Sequence, residues 1–334
     1  MRARARRAPR AMGAHRVRSS DGVTLRVREY PARSTSDGDS EWNSRCVLFA
    51  HANGFHGAVF APALEALRAR GYACYALDFR GHGASDLGTN ARVEWSALAE
   101  DCAAVVRELG LRGCHAFGHS CGGHALLTAE SKDPGMFRSI YAFEPIFMVP
   151  QSELDGYDAS PGSPLMASTE YLVRSATRRR PRFASVAEAL ATYKSKPPMN
   201  ALDARALEAY VNDGGFVSDP ESGGVTLACS VETEVSIYRA GEGAVDAFGS
   251  LGRVTCPVAI ARGRTVASDG KSPIYSAVIA PALARAVARG KVIDFPAVSH
   301  FGPMEQPVAV AASLLDFIQS ADSFPNHSSP RAKL

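Results

Sequence analysis

One serine stands between two glycines, each two residues away, in Gly118-His119-Ser120-Cys121-Gly122. The stretch 113–118 reads as a strand, and Cys121 to Glu130 reads as a helix that begins at once. A strand that turns straight into a helix around one residue strains that residue's backbone. The flanking glycines let the two elements approach without Cβ clashes. The hydroxyl is then lifted above the C-terminal edge of the sheet, at the positive end of a helix. The competing reading is a Gly-rich turn with an idle serine; the strand–turn–helix context favours a nucleophile, Ser120.

A serine hydroxyl needs a base at neutral pH. Of nine histidines, His300 follows the strand-like stretch Val292 to Phe295 and lies C-terminal to the serine, as the order Ser, acid, His requires. His119 and His124 sit on or beside the elbow, where they line a pocket or pack. A carboxylate must then hold the histidine tautomer and stabilise the imidazolium. Glu144 ends the strand Ser139 to Phe143, and Asp269 lies in the loop after the strand Pro257 to Arg262. A charge at the buried end of a strand is expensive unless paired. Glu144 is therefore the preferred acid and Asp269 the alternative. Two backbone N–H donors are needed for an oxyanion: Cys121 supplies one, and the loop His51-Ala52-Asn53-Gly54-Phe55 points to Asn53 for the other.

These residues need a frame, and the hydropathy pattern supplies one. His15–Arg18 and Val23–Tyr30 flank an Asp21-Gly22 turn and read as a hairpin. Cys46–Ala50 and Tyr72–Phe79 read as strands, with a helix over Phe60–Arg70 between them. Trp95, Leu98, Cys102, Val105, Val106 and Leu109 mark one face of a long helix. Strand–helix alternation of this kind builds a mostly parallel sheet covered by helices on both faces, an α/β fold. The rhythm stops near Pro150. Residues 151–250 read as a helical cap with no clear buried strand, with candidate helices at Glu170–Ser175, Val186–Lys194 and Ala204–Val211. Alternation then resumes through the strands Pro257–Arg262 and Val292–Phe295 and the helices near Ile279–Arg289 and Val308–Ile318. The expected organisation is a leader over 1–14, a core over 15–150 and 251–320 interrupted by the cap, and a flexible tail over 321–334.

The 334 residues are 46% hydrophobic and 21% charged, enough for a large core. No apolar run approaches the length of a membrane span. Seven arginines and no acids fall within residues 1–20; removing those seven charges from the net +3 leaves −4, which argues against a nucleic-acid partner. The seven cysteines are scattered, odd in number and without a C-x-x-C pair, the usage of buried thiols in a reducing compartment such as the cytoplasm. Neither a metal nor a cofactor is expected. Residues 1–14 read as a disordered extension, with a short organelle-targeting leader as the alternative. The chain ends Ala332-Lys333-Leu334, a small–basic–Leu tripeptide of the peroxisomal S-K-L type, which would make an import receptor a partner. Within the cap, Arg174, Arg178, Arg179, Arg180 and Arg182 form either a solvated helix end or a receptor for an anionic substrate group.

The motifs FAHANGF (49–55), LDFRGHGASD (77–86), GHSCGG (118–123), YAFEP (141–145) and VSHFGPMEQP (298–307) together resemble the α/β-hydrolase superfamily. The resemblance is to the capped branch that holds serine esterases, haloalkane dehalogenases and epoxide hydrolases. The resemblance covers residues 15–320, and its motifs, from Phe49 to Pro307, fall in the family's order. The chain departs from the family at Ala52, where Gly usually follows His, and in the late arrival of Asp269 after Gly263. Relatives with the acid one strand earlier carry it where Glu144 stands, which supports Glu144. Dehalogenases and epoxide hydrolases of this branch use an Asp nucleophile, so Ser120 implies an acyl-enzyme and an ester or thioester substrate. A binding protein that keeps the fold without turnover, and a C–C hydrolase, lyase or acyltransferase on the same triad, are the alternatives.

Overall fold

Stretches such as Cys46–Ala50 and Ala73–Asp78 are apolar at nearly every position and buried throughout, the pattern of strands covered on both faces. In the computed structural model, which describes residues 13–33, 42–89, 93–241, 245–267 and 269–323, they lie at the middle of an eight-stranded sheet. The strands are β1 (Gly13–Arg18), β2 (Thr24–Tyr30), β3 (Cys46–Ala50), β4 (Ala73–Asp78), β5 (Cys114–His119), β6 (Phe137–Phe143), β10 (Val258–Arg262) and β11 (Gly290–Asp294); β7 (Arg182–Phe183), β8 (Phe216–Ser218) and β9 (Val225–Leu227) lie outside this sheet. Their spatial order is β1-β2-β4-β3-β5-β6-β10-β11. Only the hairpin edge is antiparallel, β1 with β2 and β2 with β4; every other pairing is parallel.

Alternation along the strands divides the core. Leu48, Leu77, Ala116, Ile140 and Ile260 face α2 (Trp95–Glu108), α3 (Cys121–Lys132) and α9 (Ala280–Ala286). Val47, Phe49, Phe117, Tyr141 and Ala259 face α1 (Ala61–Arg68) and α11 (Pro307–Asp322). The C-terminal ends of the parallel strands therefore open onto one common edge, where ligands of such sheets bind. The short helices α8 (Tyr275–Val278) and α10 (Gly302–Glu305) follow β10 and β11. The single helix expected near Ile279–Arg289 is instead the pair α8 and α9, with a proline in the first turn of α9.

Between β6 and β10 the chain leaves the sheet. It forms α4 (Ala167–Thr177), β7 (Arg182–Phe183), α5 (Val186–Ser195), α6 (Ala204–Asn212), β8 (Phe216–Ser218), β9 (Val225–Leu227), α7 (Val231–Ala240) and a 3-10 stretch over Val245–Arg253. To the helices of the expected cap the structure adds three short strands: β7, β9 and β8 pair into a small antiparallel sheet. Its strands are two or three residues long and mostly uncovered, too short for any hydropathy period to show. At the ends, β1 begins at Gly13, inside the expected leader, and α11 runs to Asp322, inside the expected tail. The remainder of the leader and the tripeptide Ala332-Lys333-Leu334 lie outside the described residues. Among the described residues no helix is long and apolar enough to cross a membrane.

Candidate active site

Ser120 links β5 directly to α3 and adopts φ 55° and ψ −120°, a conformation rare for a side-chain-bearing residue. Its N–H donates to the Phe143 carbonyl at 3.0 Å, which ties the turn to the end of β6. The glycines do what close approach demands. A Cβ on Gly122 would stand 2.3 Å from the Ala50 oxygen, and one on Gly118 would stand 2.6 Å from the Gly123 Cα.

Glu144, immediately after β6, also has positive φ, 44°, and its N–H donates to the Ala261 carbonyl at 2.7 Å. Its carboxylate is fully buried. Oε2 accepts from His300 Nδ1 at 2.6 Å and from the Ser276 hydroxyl at 2.5 Å, and Oε1 accepts from the Gly263 N–H at 2.7 Å. Burial opposes ionisation of this group. The hydrogen bond and charge of His300, with the Ser276 and Gly263 donors, outweigh it and hold the carboxyl below the usual glutamate value. An ionised acid at Oε2 fixes the His300 proton on Nδ1 and leaves Nε2 as the basic nitrogen. His119 reinforces this placement, because its Nε2 donates to the His300 carbonyl at 2.8 Å and the two rings lie 4.9 Å apart. Burial, then the neighbouring His300, keep the His119 imidazole neutral.

Asp269 is not in this group. It is exposed, and its oxygens accept from the Lys271 and Ser272 N–H groups at 2.8 Å each and from the Ser272 hydroxyl at 2.5 Å. Those donors, the Ser272 hydroxyl foremost, pull its carboxyl down to about 2, so it closes a local turn.

The Asn53 loop lies against the elbow. Its Gly54 N–H donates to His82 Nε2 at 3.0 Å and its Phe55 N–H to the Ala52 carbonyl at 3.2 Å. The Cys121 thiol donates to the His51 carbonyl at 3.7 Å. Burial pushes that thiol up to about 12 despite the Asn53 N–H, so Cys121 offers a backbone donor and not a thiolate. The Asn53 side chain is spent on structure: its Nδ2 donates to the Glu234 carbonyl at 2.8 Å. The insertion arginines split by direction. Arg180 pairs with Glu188, and Arg182 with Asp219 and Glu221, at the surface, whereas Arg179 turns inward to Glu234.

Ser276, Gly263 and Glu234 were not legible from the sequence, and Arg179, read there as part of a solvated or anion-receiving cluster, instead pairs with Glu234. Ser276 is 132 residues from the carboxylate it supports, and no local motif marks it. Among the described residues no group of His, Cys, Asp and Glu is arranged to hold a metal.

Residues 47–313 match the model of the alpha/beta hydrolase family. The chain is 26% identical over 299 residues, 89% of its own length and 92% of the relative's, to 2-(acetamidomethylene)succinate hydrolase of Mesorhizobium japonicum. The crystal structure of an E-2-(acetamidomethylene)succinate hydrolase superposes with a TM-score of 0.72 at 22% identity, covering 92% of this chain and 99% of that one. The peroxisomal α/β-hydrolase Lpx1 of Saccharomyces cerevisiae gives 0.70 at 18% identity, covering 99% and 90%. A thermophilic esterase from Thermogutta terrifontis gives 0.62 at 16%, covering 92% and 99%. Likeness at these identities is likeness of fold.

Proposed function

Because the chain belongs to the α/β-hydrolase family, we propose that it is a serine hydrolase that cleaves an ester or thioester of a small molecule through an acyl-enzyme. Ser120 attacks the acyl carbon while His300 Nε2 takes its proton. Glu144 holds the His300 tautomer and stabilises the imidazolium. The backbone N–H groups of Cys121 and Asn53 receive the oxyanion, and His300 then returns the proton to the leaving group. Water repeats the sequence on the acyl-enzyme and frees Ser120. The observation that carries this reading is the 2.6 Å contact of His300 Nδ1 with a buried carboxylate beside a strained serine elbow.

A fluorophosphonate probe is expected to label the wild type and not Ser120→Ala, and short p-nitrophenyl esters are expected to turn over. A wild type that stays unlabelled and inert would sink the reading. The named relative favours a second one. Its substrate, by name, carries an acetamido group on a succinate, so an acyl group held on nitrogen or carbon is the alternative to an ester. Comparing amide, ester and thioester analogues of one acyl group by kcat/KM separates the two. A peroxisomal destination through Ala332-Lys333-Leu334 is a companion proposal. In cells with peroxisomes, a fluorescent protein fused ahead of the full chain is expected to enter them, and deletion of the three residues to leave it outside.

A further inference from the structure

The second oxyanion donor is held from two sides. On the core side, His82 Nδ1 donates to the Arg80 carbonyl at 2.9 Å, which leaves Nε2 as the acceptor of the Gly54 N–H. On the other side stands α7 of the insertion. Its residue Glu234, 7% exposed at the side chain, supplies the carbonyl that accepts Asn53 Nδ2 at 2.8 Å. Gly54 has φ +77°, and a Cβ built there would meet Glu234 Oε1 at 2.8 Å and Arg179 Nη1 at 3.1 Å. The carboxylate and guanidinium therefore lie directly on the Gly54 backbone. Arg179 Nη1 pairs with Glu234 Oε2, while Nη2 reaches the Tyr210 hydroxyl at 2.8 Å and the Tyr193 hydroxyl at 3.4 Å. Side chains from α5, α6 and α7 thus converge on one ion pair above the Asn53-Gly54 peptide.

A buried ion pair adds little net stability over an apolar replacement, so stability alone is a weak reason for one here. Its place over the oxyanion loop supplies another. We propose that Glu234, clamped by Arg179, is a positioning residue for the oxyanion hole: the pair presses α7 onto Asn53-Gly54 and so fixes the direction of the Asn53 N–H. The inference rests on the serine-hydrolase reading. In its terms, the insertion completes the catalytic machinery as well as covering it.

The test compares Glu234→Gln, Glu234→Ala, Arg179→Lys and wild type, in the full chain, by three readouts. These are kcat and KM on one p-nitrophenyl ester, inhibition by a trifluoromethyl ketone that forms a tetrahedral adduct with the serine, and thermal melting to identify folded variants. Losing one oxyanion donor lowers kcat by about 100- to 1,000-fold, so partial misplacement by Glu234→Ala is expected to lower kcat by about 10- to 100-fold. KM should change by less than about threefold, and the ketone should weaken in parallel with kcat/KM. Glu234→Gln, which keeps the shape, is expected to recover part of the loss. If Glu234→Ala does not fold, Glu234→Gln and Arg179→Lys carry the same comparison. Folded variants with wild-type kcat and ketone inhibition, or with a loss confined to KM, would overturn the clamp and leave the hydrolase reading standing. A wild type that fluorophosphonate does not label removes both.

Discussion

Replacing Glu144 by Gln tests the site at the point where geometry dictates the outcome. The side chain cannot turn freely. The Gly263 N–H points at Oε1 from 2.7 Å and requires an acceptor there, so the new amide must place its oxygen at Oε1 and its NH2 toward His300 and Ser276. His300 Nδ1 then faces a donor and must become an acceptor, which moves the ring proton to Nε2. An Nε2 that already carries a proton cannot take one from Ser120. A wrong tautomer in an intact serine triad lowers kcat by about 10,000-fold, or about 5 kcal/mol of transition-state stabilisation at 1.36 kcal/mol per decade. Asp269→Asn, at an exposed turn, is expected to stay within about twofold of wild type. Initial rates on a p-nitrophenyl ester across pH 6–9, with circular dichroism to confirm folding, decide the matter. Glu144→Gln retaining a tenth of wild-type kcat, or Asp269→Asn losing 100-fold, would refute the assignment of the acid.

The remaining predictions concern the interior. All seven cysteines are buried, so Ellman's reagent is expected to find no fast-reacting thiol in the native protein and seven after denaturation; one rapid native equivalent contradicts this. Burial lowers His82 and His124 to about 4, and His51 and His119 are also lowered. The unfolded chain takes up these protons near pH 6.5 and the folded one does not. Stability is therefore full above pH 6.5 and is lost as pH falls toward 4, by up to about 3 kcal/mol for each of His82 and His124. Urea midpoints measured from pH 8 to 4 check this, and a flat profile contradicts it. Gly122→Ala would set a Cβ against the backbone of β3 and is expected to lose about 3 kcal/mol or more, read from the urea midpoint; a change under about 0.5 kcal/mol contradicts the packing.

The sheet was legible because its strands are buried on both faces. Runs such as 46–50 and 73–78 announce themselves without any tertiary knowledge. The elbow was legible because its chemistry and its glycines share five consecutive residues. Glu144 was legible for a related reason: a carboxylate at the end of a buried strand demands a partner. The insertion was harder. Helix α7 carries the sequence VETEVSIYRA, in which apolar and polar residues alternate with the period of a strand. Ser230 decides the matter as an N-cap, its Oγ accepting the Thr233 N–H at 3.1 Å, and packing against α4 completes it. The partners Ser276, Gly263 and Glu234 depend on folding contacts across more than a hundred residues, and no local pattern encodes them.

The position of Glu144 has a consequence for how this molecule can change. On the proposed assignment the acid rides on the end of β6, and the segment that follows β10 joins the relay through the Gly263 N–H and the Ser276 hydroxyl. Between those two anchors, the chain around Asp269 folds on itself through the Val266–Pro273 bridge and the Asp269 turn. Its two ends are tied to the site, while Asp269 and Gly270 at its turn are exposed. An epitope tag, a fluorophore site or a borrowed loop inserted there should leave turnover intact, making it the natural handle for tethering the enzyme or reporting on it.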